Sequence, residues 1–111
     1  MNRKIEFYKH YFTDFYSGQE LKVKHIINYV LDLVKMMRHV PGKFLAPIKG
    51  EKGLHEIRIE YESNIFRILC CFGVTNNIIL FNGFQKKTQK TPKSEIKRAK
   101  RLMTDYINDI K

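Results

Sequence analysis

Residues 54–61, 65–72 and 78–81 are three successive apolar segments with the two-residue periodicity of strands, and polar linkers of only a few residues separate them. Linkers as short as Glu62-Ser63-Asn64, or the loop from Gly73 to Asn77, cannot hold the crossover that parallel neighbours require. The spacing therefore predicts an antiparallel three-strand meander. In the first segment, alternation puts His55, Ile57, Ile59 and Tyr61 on one face and Glu56, Arg58 and Glu60 on the other. The aliphatic face belongs on a core, so helices must be available to cover it.

Two stretches offer them. Val23, Ile26, Ile27, Val30, Val34 and Met37 recur at three- and four-residue steps up to the breaker Pro41-Gly42. Ser17-Gly18-Gln19-Glu20 has capping-box spacing, so this helix is expected to start there. A second helix is expected after Thr91 as cap and Pro92 at the first helical position, with a stripe of Ile96, Ala99, Met103, Tyr106, Ile107 and Ile110. Ile5 and Phe7 suggest a short first strand, and residues 44–52, with Pro47 and Gly50, read as an irregular crossing segment.

A chain of 111 residues suits one domain around one core. The start of the chain has charged residues but no apolar run of signal-peptide length, and nothing approaches a membrane span, so a cytosolic protein with no membrane partner is expected. Cys70 and Cys71 are adjacent and would point to opposite faces of a strand, which rules out an ordinary disulfide between them and fits a reducing compartment. His10, His25, His39 and His55 are scattered without ligand spacing, so neither a metal nor a cofactor is expected. There is no nucleophile elbow, phosphate-cradling glycine loop or His-Glu-x-x-His pair.

What remains is positive charge. The 21 Lys and Arg exceed the 11 Asp and Glu to give a net charge of +10, which favours a polyanionic partner. Residues 86–101 alone carry Lys86, Lys87, Lys90, Lys93, Lys97, Arg98, Lys100 and Arg101 against a single acid, Glu95. Some of these would be the wet face of the last helix, while Lys86 and Lys87 precede it. Arg58 and Arg67 each interrupt an apolar strand with a permanent cation that must be paired or aimed at a ligand. A two-residue turn at Ser63-Asn64 would set Glu60 opposite Arg67 and bring both arginines to the face opposite Ile57 and Ile59, whereas a three-residue turn would separate them. Glu56 and Glu60 could equally neutralise the arginines in a cross-strand lattice.

Gly53-Leu54-His55-Glu56-Ile57-Arg58, then Phe66-Arg67-Ile68, then Gly83-Phe84-Gln85-Lys86-Lys87-Thr88-Gln89-Lys90-Thr91-Pro92 ahead of a basic helix resemble the HigB branch of the RelE/ParE toxin superfamily, the phage-derived host-inhibition type. His55 and Phe66 depart from it, standing where that family usually has Tyr or Trp and commonly has Tyr. The resemblance implies an α+β, RelE-like fold: a twisted antiparallel sheet, built from a short N-terminal strand and the meander, packed with N-terminal helices and a C-terminal helix. It also implies a ribosome-dependent mRNA interferase, an endoribonuclease whose partners are mRNA and ribosomal RNA and a cognate helix-turn-helix antitoxin. Because RNA carries its own 2′-hydroxyl nucleophile, such cleavage is expected to be metal-independent. Carried over residue by residue, Arg58, Arg67, Lys86 and Lys87 match the catalytic basic set. Lys90, Lys93, Lys97, Arg98 and Arg101 would then bind RNA. His55 competes as acid or base, although alternation turns it away from Arg58. A ParE-like gyrase inhibitor and a non-catalytic RNA- or ribosome-binding module are the alternatives.

Overall fold

Alternation along the central strands is used on both sides, because helices cover both faces of the sheet. The computed structural model describes residues 2–88 and 90–111, so Gln89 of the Lys-Lys-Thr-Gln-Lys stretch lies outside the described residues. The elements are β1 (Lys4–Phe7), α1 (Tyr11–Ser17), α2 (Leu21–Met36), β2 (Leu45–Pro47), β3 (His55–Tyr61), β4 (Asn64–Phe72), β5 (Asn77–Lys86) and α3 (Lys93–Asp109). They form an α+β fold on a five-stranded sheet of order β1-β5-β4-β3-β2. The meander β3-β4-β5 is antiparallel, as its short connections require. β1 joins its edge in parallel with β5, which α1 and α2 make possible by lying between the two in sequence.

Ile57, Ile59, Phe66, Ile68 and Cys70 pack with Phe12, Val23, Ile27, Val30 and Val34 on the face covered by α1 and α2. Leu69, Cys71, Ile79 and Phe81 pack with Ala99 and Leu102 of α3 on the other. Each buried aliphatic side chain contributes roughly 1.5 to 3 kcal/mol of hydrophobic stabilisation, so neither face could be left bare. Cys70 and Cys71 do point to opposite cores, and burial pushes both thiols up, Cys71 to about 11.

Several local expectations are corrected by packing. The capping box is not formed: Ser17 ends α1 and its hydroxyl donates to the Asp14 carbonyl, while Glu20 flanks α2 without a side-chain cap. α2 ends at Met36, short of Pro41-Gly42. The supposed irregular segment contains β2, which pairs with β3 through Leu45 and Ile57. Of the expected α3 stripe, Ile96, Ala99, Met103 and Tyr106 do pack on the sheet, joined by Leu102, whereas Ile107 and Ile110 are exposed. Gly83 lies under α1, where a Cβ would come within 2.4 Å of the Phe15 ring, so only glycine lets that aromatic lie flat on β5.

Candidate functional site: a basic groove on the α3 face

The turn between β3 and β4 is Glu62-Ser63, one residue earlier than expected, with Glu62 in the left-handed region at φ 57°. Tyr61 therefore pairs with Asn64, Glu60 faces Ile65 rather than Arg67, and Arg58 stands directly opposite Arg67. The shift moves the register by two, so both arginines keep the same face. The Arg58 amide donates to the Phe44 carbonyl on the β2 side at 2.8 Å, which makes Arg58 and Arg67 a non-hydrogen-bonded pair, the kind whose side chains approach most closely.

Two like charges at that spacing need an anion, and Glu56 supplies one. Its Oε2 accepts from Arg58 Nε at 2.9 Å and lies 3.5 Å from Arg67 Nε. The second distance is an ion pair without hydrogen-bond geometry, and Arg67 Nε is buried with no hydrogen-bond partner. Glu56 Oε1 accepts from the Thr91 hydroxyl at 3.1 Å. Thr91, read from the sequence as a helix cap, thus ties the segment entering α3 to the arginine pair, and Pro92 flanks the helix instead. Glu56 and Arg67 are 6% and 7% exposed, so this pairing is desolvated, while Arg58 stands nearer the surface. Arg58 Nη1 donates to the Gly42 carbonyl at 3.1 Å and Arg67 Nη1 to that of Phe66 at 3.0 Å, which orients both planar forks.

These residues line a groove of about 720 Å³ between β3, β4 and the start of α3, together with Lys49, Lys86 and Lys90. Lys86 pairs with Ile65 at the end of β5, on the same face as Arg67. Partial burial holds its ammonium pKa below the usual lysine value, and the Arg67 and Arg58 cations add to the shift while Glu56 opposes it. Burial likewise lowers that of Arg67, against the opposing pull of Glu56. A polyanion entering here meets five cationic side chains, Lys49, Arg58, Arg67, Lys86 and Lys90, against the buried Glu56 and the exposed Glu60.

The other expected residues separate into groups. Lys87 is exposed just past β5 and is not among the residues lining the groove. Lys90 lines it. Lys93 and Lys97 share a neighbouring depression with Lys49 and Lys100. Arg98 and Arg101 line a different surface with Ser94, and the Arg98 guanidinium lies 5.5 Å from the Tyr11 ring centre. His55 is on the α2 side, its ring 4.9 Å from that of Phe72, with Nδ1 buried and lacking a hydrogen-bond partner. That position removes it from the arginine groove. Glu56 does neutralise the arginines, as the cross-strand alternative anticipated, whereas Glu60 forms no ion pair with them among the described residues and Thr91 joins the site unannounced by the sequence. Glu56 had a signal, because its alternation with Arg58 put it on the cationic face, whereas the approach of Thr91 is purely tertiary. Among the described residues no group of three or more His, Cys, Asp or Glu could hold a metal ion, and no helix is long and apolar enough to cross a membrane.

A search of curated proteins finds no match. The family model for phage-derived Gp49-like proteins (DUF891) matches residues 16–104, which include α2, all of β2 to β5 and the whole arginine groove. That span is most of the chain, and the protein accordingly belongs to the Gp49-like family, which is associated with toxin–antitoxin modules.

Proposed function

We propose that this protein is a HigB-type toxin that cleaves mRNA on the translating ribosome and is neutralised by a helix-turn-helix antitoxin. The observation that carries the reading is the direct opposition of Arg58 and Arg67 beside Lys86 in one groove, with Glu56 ion-paired to both guanidinium groups. Family membership supports the toxin–antitoxin setting.

RNA carries its own nucleophile. Cleavage requires the 2′-hydroxyl to be aligned with the scissile phosphorus, its proton removed, the phosphorane's charge stabilised and the departing 5′-oxygen protonated. Arg67 donates to the non-bridging phosphate oxygens, and Arg58 shares the charge that grows on them in the transition state. Lys86 takes the 2′-hydroxyl proton, a role favoured by a pKa below the ordinary lysine value. Lys90, which lines the same groove just ahead of α3, gives a proton to the 5′-oxygen. The P–O5′ bond breaks as the P–O2′ bond forms, leaving a 2′,3′-cyclic phosphate and a 5′-hydroxyl. Glu56 acts as a positioning residue. Lys87, Lys93, Lys97, Arg98 and Arg101 contribute longer-range attraction to RNA, which salt screens.

The test is a translation reaction with the purified protein, in which mRNA ends are mapped for wild type, Arg67→Ala and Arg67→Lys. Wild type should cut messages being translated. Arg67→Ala should lose about two to three orders of magnitude in rate, and Lys should restore little because it lacks the planar fork. Intact message with wild type, or full cleavage by a folded Arg67→Ala, overturns the reading. A supercoiling assay run in parallel would reveal gyrase inhibition, and stalled ribosomes on intact message would reveal a binding module.

A further inference from the structure

Arg58, Glu60 and Arg67 line a second depression of about 690 Å³ as well as the catalytic groove. Its other walls come from α2 and from the segment leading into β2: Ile26, Tyr29, Val30, Lys43 and Phe44. β2 begins opposite Ile57, and past the Phe44 carbonyl that takes the Arg58 amide no strand among the described residues pairs with the outer edge of β3. The two depressions meet across that edge, with the arginine pair at their junction. A strand of RNA whose phosphate sits between the arginines would have its adjoining nucleotide delivered into the second depression.

The lining there adds aromatic and aliphatic surface, Tyr29, Phe44, Ile26 and Val30, to the cations Lys43, Arg58 and Arg67, which suits a base whose flanking phosphates are held. Tyr29 is 58% exposed, a large aromatic surface with no core to fill. Phe44 packs against the α2-side core on one side, and the Lys43 ammonium lies 5.2 Å from its ring centre. Glu60, exposed at the rim, repels a phosphate but accepts a hydrogen bond from a base N–H. Arg58 couples the depressions mechanically: its amide donates to the Phe44 carbonyl at 2.8 Å and its guanidinium to the Gly42 carbonyl at 3.1 Å. The aromatic wall and the phosphate-binding fork are therefore held in one register.

We infer that Tyr29 is the stacking platform of a nucleobase subsite walled by Phe44, in which the base next to the scissile phosphate of a single-stranded RNA stacks while Lys43 meets its backbone. The inference rests on the nuclease reading for the scissile phosphate, and it adds a determinant of position along the message. Aromatic side chains bind unpaired bases by stacking with little demand on sequence, so Tyr29 sets where the strand lies, and Glu60 adds a preference among base edges.

The experiment uses the full chain and a short single-stranded RNA, 2′-O-methylated to prevent cleavage and carrying 2-aminopurine at successive positions. Wild type should quench the probe at one position. Tyr29→Ala should lose that quenching and bind about tenfold more weakly, while Tyr29→Phe keeps both, since only the ring is needed. Tyr29 is largely exposed, so Tyr29→Ala should unfold at an unchanged temperature, and Lys43→Ala provides a second variant that weakens binding without removing the quench. No quenching by wild type at any position, or quenching unchanged in Tyr29→Ala, overturns the subsite. Its failure is separable from that of the nuclease. Ribosomal cleavage unaltered in rate and position by Tyr29→Ala removes the subsite alone, whereas a quenched probe with intact message retains the subsite and removes the nuclease.

Discussion

Arg58 and Arg67 face each other across the β3–β4 ladder, and the Glu56 carboxylate lies against the Nε of both, at 2.9 and 3.5 Å. Such an arrangement holds two like charges together in the absence of ligand and orients their forks. Glu56→Gln keeps the shape and removes the charge, leaving buried Arg67 without its counter-ion. We expect a loss of about 1 to 3 kcal/mol in urea-measured stability. A double-mutant cycle between Glu56→Gln and Arg67→Met should return a coupling of about 0.5 to 3 kcal/mol, and additivity would show that the pair does not interact. The exposed Arg58 side of the triad should contribute less, because solvent screens it.

Lys86 gives the site a pH signature. Its folded pKa lies below that of the unfolded chain because of burial first and the neighbouring arginines second. The folded protein therefore binds fewer protons at this group. The associated stability is fully present above the unfolded value near 10.5 and is lost as pH falls through the folded pKa. Lys86→Met should flatten that part of the stability profile. In Arg58→Gln, one cause of the shift is removed, so the Lys86 resonance followed by NMR should titrate at higher pH than in wild type. An unmoved midpoint would contradict the coupling.

Gly83 allows α1 to sit on β5. An alanine Cβ there would fall 2.4 Å from Phe15 Cδ2, so the aromatic ring must move. Gly83→Ala should destabilise the fold by about 1 to 3 kcal/mol, the usual cost of overpacking, measured by chemical denaturation. Combining it with Phe15→Leu should recover part of the loss.

The tight turn before β4 carries strain of another kind. Glu62 adopts φ 57°, which an ordinary side chain resists and Asn or Gly accepts more readily. Glu62→Asn should raise stability by about 0.5 to 1 kcal/mol without altering the proposed mRNA cleavage, because its side chain is exposed outside the groove. A lowered melting temperature would show that Glu62 makes a stabilising contact that outweighs its backbone.

Two-residue alternation and short linkers were enough to determine the meander, and they assigned Ile57 and Ile59 to one face and Arg58 to the other. Period and connection length are local properties, fixed by pleat geometry and chain reach. The same alternation made the sharing of a face by Arg58 and Arg67 legible, because a register shift of two preserves it. Their direct opposition was decided by the position of one turn residue. Tertiary structure also decided that Glu56 would be buried between them, that Thr91 would serve Glu56 rather than cap α3, and that β1 would pair in parallel with β5. Each of these depends on contacts between residues distant in the chain, where packing outweighs a local preference such as a capping box or a proline turn. The sequence by itself thus determined a strongly basic chain with two strand arginines and a lysine-rich junction; only the folded sheet, by stacking β3 on β4 and bringing the start of α3 across them, decided that these cations would share one groove around a buried carboxylate.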